Sequence, residues 1–300
     1  MKRLIITADD FGAAREVNDA IEAAHRSGIL TAASLMVGAP EAADAVMRAR
    51  RTPSLRVGLH LVLVEGRPVL PAGDVPHLVD GDGLFRSDMA ALGVVMFFNP
   101  QARRELAAEI TAQFEAFRAT GLALDHCNAH KHFHLHPVIG RLMIEIGRRF
   151  GLRAARIPLE PGHILRKIEP QTPRASAWLT IPFALGLRRR VRAAGLLSPD
   201  QVFGLQWSGK MTKDRLSGLI GNLPDGLTEI YLHPATGRFA GAASDYRYRE
   251  EFDALMAPEI VAAARDSALR LGGFSDFWGL ETTVHSGASH GAMPNRSLMP

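Results

Sequence analysis

Two adjacent aspartates, Asp9 and Asp10, end a short apolar run near the start of the chain; histidines follow at His60, at His130, His132, His134 and His136, and at His233. One carboxylate with two imidazoles leaves open positions on a divalent cation, so that bound water can be activated and a carbonyl polarised. A second carboxylate beside the cation can take the water's proton. No GxGxxG loop is present, and no GxSxG elbow stands between a strand and a helix, which argues against a dinucleotide site and a serine nucleophile. Metal-assisted hydrolysis is the chemistry that this set suits.

Each residue also has a plainer use. Adjacent aspartates after a strand can cap a helix, a lone histidine on an apolar strand is commonly a packed core residue, and His233 before Pro234 can be strand punctuation. Gly58, two residues before His60, leaves room for another group to approach closely. Between His126 and His136 the histidines at 130, 132, 134 and 136 recur two apart, so an extended chain presents them on one side. At about 3.3 Å per residue, His130 and His134 would stand roughly 13 Å apart, too far to share an ion. One or two are expected as ligands, the others as substrate contacts or helix caps. Cys127, inside an expected strand, reads as a small packed residue.

The elements that must position these residues follow from the hydrophobic pattern. Strands are expected at 3–8, 31–37, 55–64, 122–127, 153–157 and 227–232, and helices at about 17–28, 41–50, 101–120, 137–150, 212–222 and 248–271. This alternation predicts an α/β fold with a parallel sheet, and its length suits one closed or nearly closed (β/α) barrel. Two stretches break the rhythm: 65–100, rich in Gly and Pro, reads as an inserted loop or lid, and 159–200 as a second long excursion. A Ser/Gly/Pro-rich tail at 285–300 is expected to be disordered. In a parallel barrel all strand C-termini open on one face, where Asp9, Asp10, His60, His130, Arg156 and His233 would converge.

Of the 300 residues 47% are hydrophobic and 22% charged, enough to bury a sizeable core. The net charge of +4 comes without long basic blocks, so no nucleic-acid partner is expected. A single cysteine excludes an intramolecular disulfide, and the opening residues carry no apolar run of signal-peptide length. A cytoplasmic location is expected.

The segments Thr7-Ala8-Asp9-Asp10-Phe11-Gly12 with Asn18 downstream, Gly58-Leu59-His60-Leu61, His130-Lys-His-Phe-His134, Arg156-Ile-Pro158 and Leu232-His233-Pro234 resemble the YdjC-like carbohydrate deacetylases. The resemblance implies a single-domain irregular (β/α) barrel of the polysaccharide-deacetylase-like type over 1–284. It also implies removal of acetyl groups from N-acetylated amino sugars with a divalent cation, zinc or magnesium. Carried across, Asp10, His60 and His130 hold the cation, Asp9 is the base, His233 the general acid, and Arg156 orients a neighbouring group or the substrate. His132 and His134 are expected to contact substrate. The sequence departs from the family where Asn128 replaces an acidic residue, with Asp125 as a substitute further back. Lys131 stands for the middle one of three histidines, and Val62 and Val64 for polar residues.

These departures make the chain more similar to the hopanoid-biosynthesis-associated branch, which implies an N-acetylglucosaminyl hopanoid lipid as substrate. The alternatives are soluble chitooligosaccharides and a non-catalytic sugar- or lipid-binding barrel. The apolar stretch 176–187, with Trp178 and Phe183, runs into Arg188, Arg189, Arg190 and Arg192. As a helix it spans about 18 Å against a bilayer core of roughly 30 Å. It is expected either to pack in the core or, with residues 89–98, to form a greasy rim at a membrane surface where Trp178 meets the substrate.

Overall fold

Leu4, Ile5 and Ile6 are fully buried at successive positions, which a strand achieves only where both of its faces are covered. They lie in β1 (Lys2–Phe11), the central strand of a parallel sheet. The computed structural model describes residues 1–170, 175–265 and 268–279, with backbone alone over 175–179. The expected tail at 285–300 lies outside the described residues.

On one edge β1 pairs with β2 (Ala32–Leu35), followed in order by β3 (Arg56–Leu61) and β4 (Cys127–Ala129). On its other edge lie β6 (Gly226–Leu232) and then β5 (Gln201–Phe203). Every pair is parallel, and the chain at 153–159 spans the remaining gap. On the β4 side Cys127 donates to the Ala154 carbonyl and Arg156 to that of Cys127. On the other side Ala155 donates to Leu197, Leu197 to Arg153, and Val202 to Leu159. The expected irregular (β/α) barrel therefore forms. Helices α1 (Arg15–Ser27), α2 (Ala42–Arg51), α3 (Met89–Phe98), α4 (Pro100–Ala119), α5 (Pro137–Arg149), α6 (Gly162–Ile168), α7 (Ala175–Ala193) and α8 (Lys213–Gly221) lie between the strands in sequence. The first shows why they pack: Val17, Ala20, Ile21 and Ala24 form one buried stripe on α1.

Three expected elements differ in the structure: the strand expected at 153–157 makes only isolated bridges, at Ala154 and Ala155, and the other two are a helix and a strand. The helix expected over 248–271 is split into α9 (Tyr248–Met256) and α10 (Pro258–Ala264), because Pro258 has no N–H to continue the first helix. Leu269–Leu271 is then a strand, β7, which pairs with Lys2, Arg3 and Leu4 of β1. The strand expected at 122–127 becomes regular only at Cys127.

The insertion at 65–100 is fastened to the barrel. Glu105, Glu109 and Gln113 are buried at four-residue spacing along α4 and face it. Glu109 accepts the N–H groups of Val69 (2.9 Å) and Leu70 (3.0 Å), Glu105 those of His77, and Gln113 exchanges hydrogen bonds with the Val62 backbone. After a short antiparallel bridge between Val79 and Phe85, the insertion ends in α3, capped by the Asp88 carboxylate. Glu109→Ala leaves two amides of the insertion unpaired, which costs about 1–3 kcal/mol. Limited proteolysis should then cut within 65–85 at least tenfold faster while far-ultraviolet circular dichroism stays unchanged.

Candidate metal and catalytic site

The two aspartates reach one cleft because β1 carries an extra residue. The β1–β2 register runs Thr7 to Ala32 and Ala8 to Ala33, then Phe11 to Leu35, a bulge that breaks the alternation of faces. Asp10 sits in the left-handed region at φ 62°, which turns its carboxylate to the same side as that of Asp9. The chain then passes through Gly12 at φ 95°, where a Cβ would stand 3.0 Å from the Ala42 Cα. Asn18 of α1 accepts the Gly12 N–H at 2.9 Å and donates to Glu41 and Asp44, pinning this turn to α2.

Asp10 Oδ1 lies 3.3 Å from His60 Nε2 and 3.2 Å from His130 Nδ1, and the two nitrogens are 3.4 Å apart. Tetrahedral zinc with bonds of about 2.0–2.1 Å separates its ligand atoms by roughly 3.3 Å, so these donors fit one ion. Asp10 Oδ1 is buried without a hydrogen bond of good geometry, an orphan that a cation would satisfy. Burial works to raise the Asp10 pKa, but His130 and His60 beside it hold the carboxyl well below the usual range. Burial lowers the pKa of His130, and Asp10 more than offsets this, leaving it raised.

Behind this centre Asp9 is paired with Arg156: Nη1 meets Oδ2 at 2.5 Å and Nη2 meets Oδ1 at 3.0 Å. The same guanidinium donates to Glu229 Oε1 at 2.7 and 2.9 Å and lies 4.3 Å from the Tyr231 ring centroid. Burial alone would raise the Asp9 pKa, yet Arg156 and His60 keep this carboxyl far below its ordinary value. Arg156 is wholly buried and does not line the cleft. Of the two expected uses, orienting a neighbour is the one its contacts serve, and substrate contact is closed to it.

The histidine cluster does not run extended. Lys131 and His132 are left-handed, at φ 52° and 54°, so the chain turns and sends each ring elsewhere. His130 joins the Asp10 centre. His132 lines the cleft and its Nε2 meets Tyr231 Oη at 2.8 Å. His134 is fully buried and hydrogen-bonds the Arg156 carbonyl at 3.0 Å, and burial together with Arg156 pulls its pKa down to about 3. His134 is thus a packed neutral group and not the substrate contact expected of it. The Trp178 side chain lies outside the described residues. His233, closing β6, lines the cleft, and burial lowers its pKa despite the opposing pull of Asp10 and Asp9. Its backbone N–H donates to Glu251 of α9, whose buried carboxyl is itself pushed up to about 7.

The cleft above these groups has a volume of about 1340 Å³, more than the roughly 300–1,000 Å³ of ordinary small-molecule sites. Leu159, Leu165, Ile181, Leu185 and Phe239 give it an apolar wall, most of it from the 159–200 excursion. The 65–100 insertion contributes only Glu65 and Gly66. Glu229, Tyr231, Ser34 and Glu251 escaped sequence reasoning. For Glu229 a signal existed: a lone carboxylate in an apolar strand must meet a cation, and the expected strand at 153–157 carries Arg153 and Arg156, of which Arg156 is the partner.

A parallel barrel with one carboxylate and two imidazoles at its C-terminal mouth defines the class. The chain belongs to the YdjC-like protein family, whose model matches residues 3–266. It is 30% identical over 281 residues to the carbohydrate deacetylase of Geobacillus stearothermophilus, covering 92% of this chain and 98% of that one. To the human carbohydrate deacetylase it is 32% identical over 254 residues, 77% of this chain and 74% of the relative. The fold matches the crystal structure of an Enterococcus faecalis V583 protein assigned to cellobiose-phosphate cleavage, with a TM-score of 0.73 and 23% identity over 92% of this chain and 98% of that one.

Arg156→Met strands two buried carboxylates and should cost about 3–5 kcal/mol at pH 7. The depressed Asp9 pKa makes the ion pair's contribution full above about pH 4 and lost as pH falls further, while a stranded Asp9 has a raised pKa and neutralises readily. Urea unfolding of parent and variant should therefore converge as pH falls from 7 towards 3.

Proposed function

We propose that this protein is a metal-dependent N-deacetylase that removes the acetyl group from an N-acetylglucosaminyl compound, releasing acetate and a free amine. The observation that carries this reading is the set of three mutually facing donors, Asp10, His60 and His130, on the floor of a cleft that Asp9 and His233 also line. The carbohydrate deacetylases among its relatives point the same way.

Asp10, His60 and His130 would hold the cation, which supplies a water of lowered pKa and a Lewis acid for the acetyl carbonyl. Asp9 accepts the water's proton. Arg156 keeps this carboxylate ionised and fixed, at the expense of its proton affinity, so Asp9 depends on the acidified water. His233 donates a proton to the departing amine; its Nδ1 is buried with no hydrogen-bond partner and its backbone is anchored by Glu251. His132 and Tyr231 border the sugar site.

Acetate release, with metal content measured on the same samples, tests the assignment. His60→Ala is expected to lose metal and activity together, and full metal content in it would overturn the ligand set. Asp9→Asn is expected to keep its metal and lose about 10²–10⁴-fold in turnover; normal turnover would move the base elsewhere. His233→Ala should lower kcat, and a change confined to KM would reduce it to a binding residue. Binding of the sugar with no acetate release by metal-loaded parent would favour a non-catalytic barrel.

The substrate on this reading is lipid-linked, a hopanoid-type glycolipid met at the inner membrane surface of a cytoplasmic enzyme. The apolar cleft wall supports it, as do the exposed Phe183 and Ile181 of α7 beside Arg188, Arg189 and Arg190. On α3, Val94, Phe97 and Phe98 are exposed as well. No helix among the described residues is long and apolar enough to cross a membrane. Sedimentation with anionic vesicles should retain the parent and release a variant carrying Phe183→Ala, Phe98→Ala and serine at Arg188, Arg189 and Arg190. Equal sedimentation, with equal activity on a glycolipid and a chitooligosaccharide, would favour the soluble substrate.

A further inference from the structure

His126 is fully buried and enclosed on every side. Its ring stacks on Phe274 with centroids 4.2 Å apart. Gly58 makes room for it: a Cβ there would stand 2.5 Å from two ring atoms, so the close approach that this glycine permits is by His126 and not by His60. At its nitrogens, Nδ1 meets Asp125 Oδ2 at 2.9 Å and Nε2 meets Ser34 Oγ at 3.0 Å. Asp125 also accepts the N–H groups of Phe274 (3.2 Å) and Ser275 (2.8 Å), which holds it against the last described turn of the chain.

The protons along this path have one consistent direction. A carboxylate only accepts, so His126 Nδ1 carries the proton towards Asp125. Asn128 donates from Nδ2 to Asp9 Oδ1 at 3.2 Å and to Ser34 Oγ at 2.9 Å, since neither its amide nitrogen nor that carboxylate can reverse roles. The Ser34 hydroxyl proton then goes to its other neighbour, His126 Nε2. With both amide protons so used, Asn128 Oδ1 faces His60 Nδ1 at 2.7 Å and accepts from it. His60 is left with its lone pair on Nε2, the atom that faces Asp10 and His130.

We propose that Asp125, His126, Ser34 and Asn128 form a positioning relay that fixes His60 as the Nδ1–H tautomer and so presets its Nε2 as a donor before any cation binds. This rests on reading Asp10, His60 and His130 as the cation site. The relay gives Asp125 and Asn128 separate tasks: Asn128 touches the ligand and is oriented by donating to Asp9 and Ser34, and Asp125 fixes the His126 tautomer that leaves Ser34 Oγ free to accept the second amide proton. Outer partners of this kind typically change metal affinity by about 10–100-fold.

Two measurements test it. Long-range proton–nitrogen spectra of the ¹⁵N-labelled, metal-free protein should show His60 and His126 each protonated at Nδ1 and bare at Nε2. Zinc affinity, measured by competition with a chromogenic chelator, should fall about 10–100-fold in Ser34→Ala and His126→Gln, neither of which removes a ligand. Ser34→Ala takes away one of the two anchors of Asn128 and should weaken the His60 preference for the Nδ1–H form, while Asn128→Leu, which removes the acceptor itself, should abolish it with far-ultraviolet circular dichroism unchanged. His60 protonated at Nε2 in the parent, or zinc affinity within twofold of the parent in Ser34→Ala, overturns the relay. Should His126→Gln fail to fold, Ser34→Ala, which removes one oxygen, decides alone. A parent with the expected tautomers that binds no divalent ion would leave the relay standing and sink the cation reading instead.

Discussion

Arg156 ties together at one buried point the side chains of strands that the sheet joins through their backbones and through the Thr7–Glu229 contact. Buried at the barrel's centre, it joins Asp9 at the end of β1 to Glu229 in β6, and its own carbonyl anchors His134. Burying a guanidinium and two carboxylates is favourable only when each lone pair and proton is matched, and here the geometry matches nearly all of them. Glu229 Oε1 takes two Arg156 donors and the Thr7 hydroxyl, and only its Oε2 is left without a partner. Asp9 and Glu229 share one buried guanidinium, and Asp10 adds a third carboxylate at the cleft floor whose near neighbours are the His60 and His130 imidazoles. A divalent cation at the Asp10 centre would offset this excess of negative charge. The electrostatic balance and the donor spacing therefore argue independently for the same occupant.

Backbone strain is concentrated in the same place. Among the described residues the non-glycine positions with positive φ are Asp10, Glu65, Lys131 and His132, and all four line the cleft. Each such conformation costs on the order of 1–3 kcal/mol and persists only where its surroundings enforce it. Asp10 is enforced by the bulge and the Gly12–Asn18 turn. Glu65 and Lys131 are tied to each other by an ion pair across the cleft mouth, and His132 by Tyr231. A fold indifferent to this site would have relaxed these residues into ordinary regions. Their convergence marks the cleft as the place where geometry has been kept at the expense of stability.

Much of this was legible from residue types and spacing, because a parallel barrel gathers its strand ends whatever the loops do. Asp9, Asp10, His60, His130 and His233 meet at one mouth on that ground alone. The histidine run was misleading for a local reason: a two-residue period implies one face only if the chain is extended, and the left-handed Lys131 and His132 carry no glycine to announce the turn. The helix expected over 248–271 failed at Pro258, where apolar periodicity continues across a residue that cannot propagate helical hydrogen bonds. The parts that stayed hidden, Ser34, Glu229 and Glu251, matter through partners 18 to 94 residues away. No local pattern encodes such a pairing.

The same long-range contacts separate the two groups assigned to proton transfer. Catalysis of amide hydrolysis needs one group that is ionised to accept a proton and another that can release one, and here both pKa values are lowered, for different reasons. Asp9 is surrounded by donors: Arg156 on both oxygens and Asn128 on one. It is therefore held as an anion, and its weak proton affinity confines it to an acidified water. His233 has its pKa lowered by burial instead, against the pull of Asp10 and Asp9. Its ring lies edge-on to Tyr246 and Tyr231, at 5.0 and 5.7 Å between centroids, and Nδ1 has no partner. Burial in this aromatic frame disfavours the imidazolium, so a proton placed there is readily given up. On the deacetylase reading, Arg156 keeps Asp9 ionised as the acceptor, and the negative charge of Asp10 and Asp9 favours the protonated His233 that a donor requires, while its buried setting makes that proton easy to release.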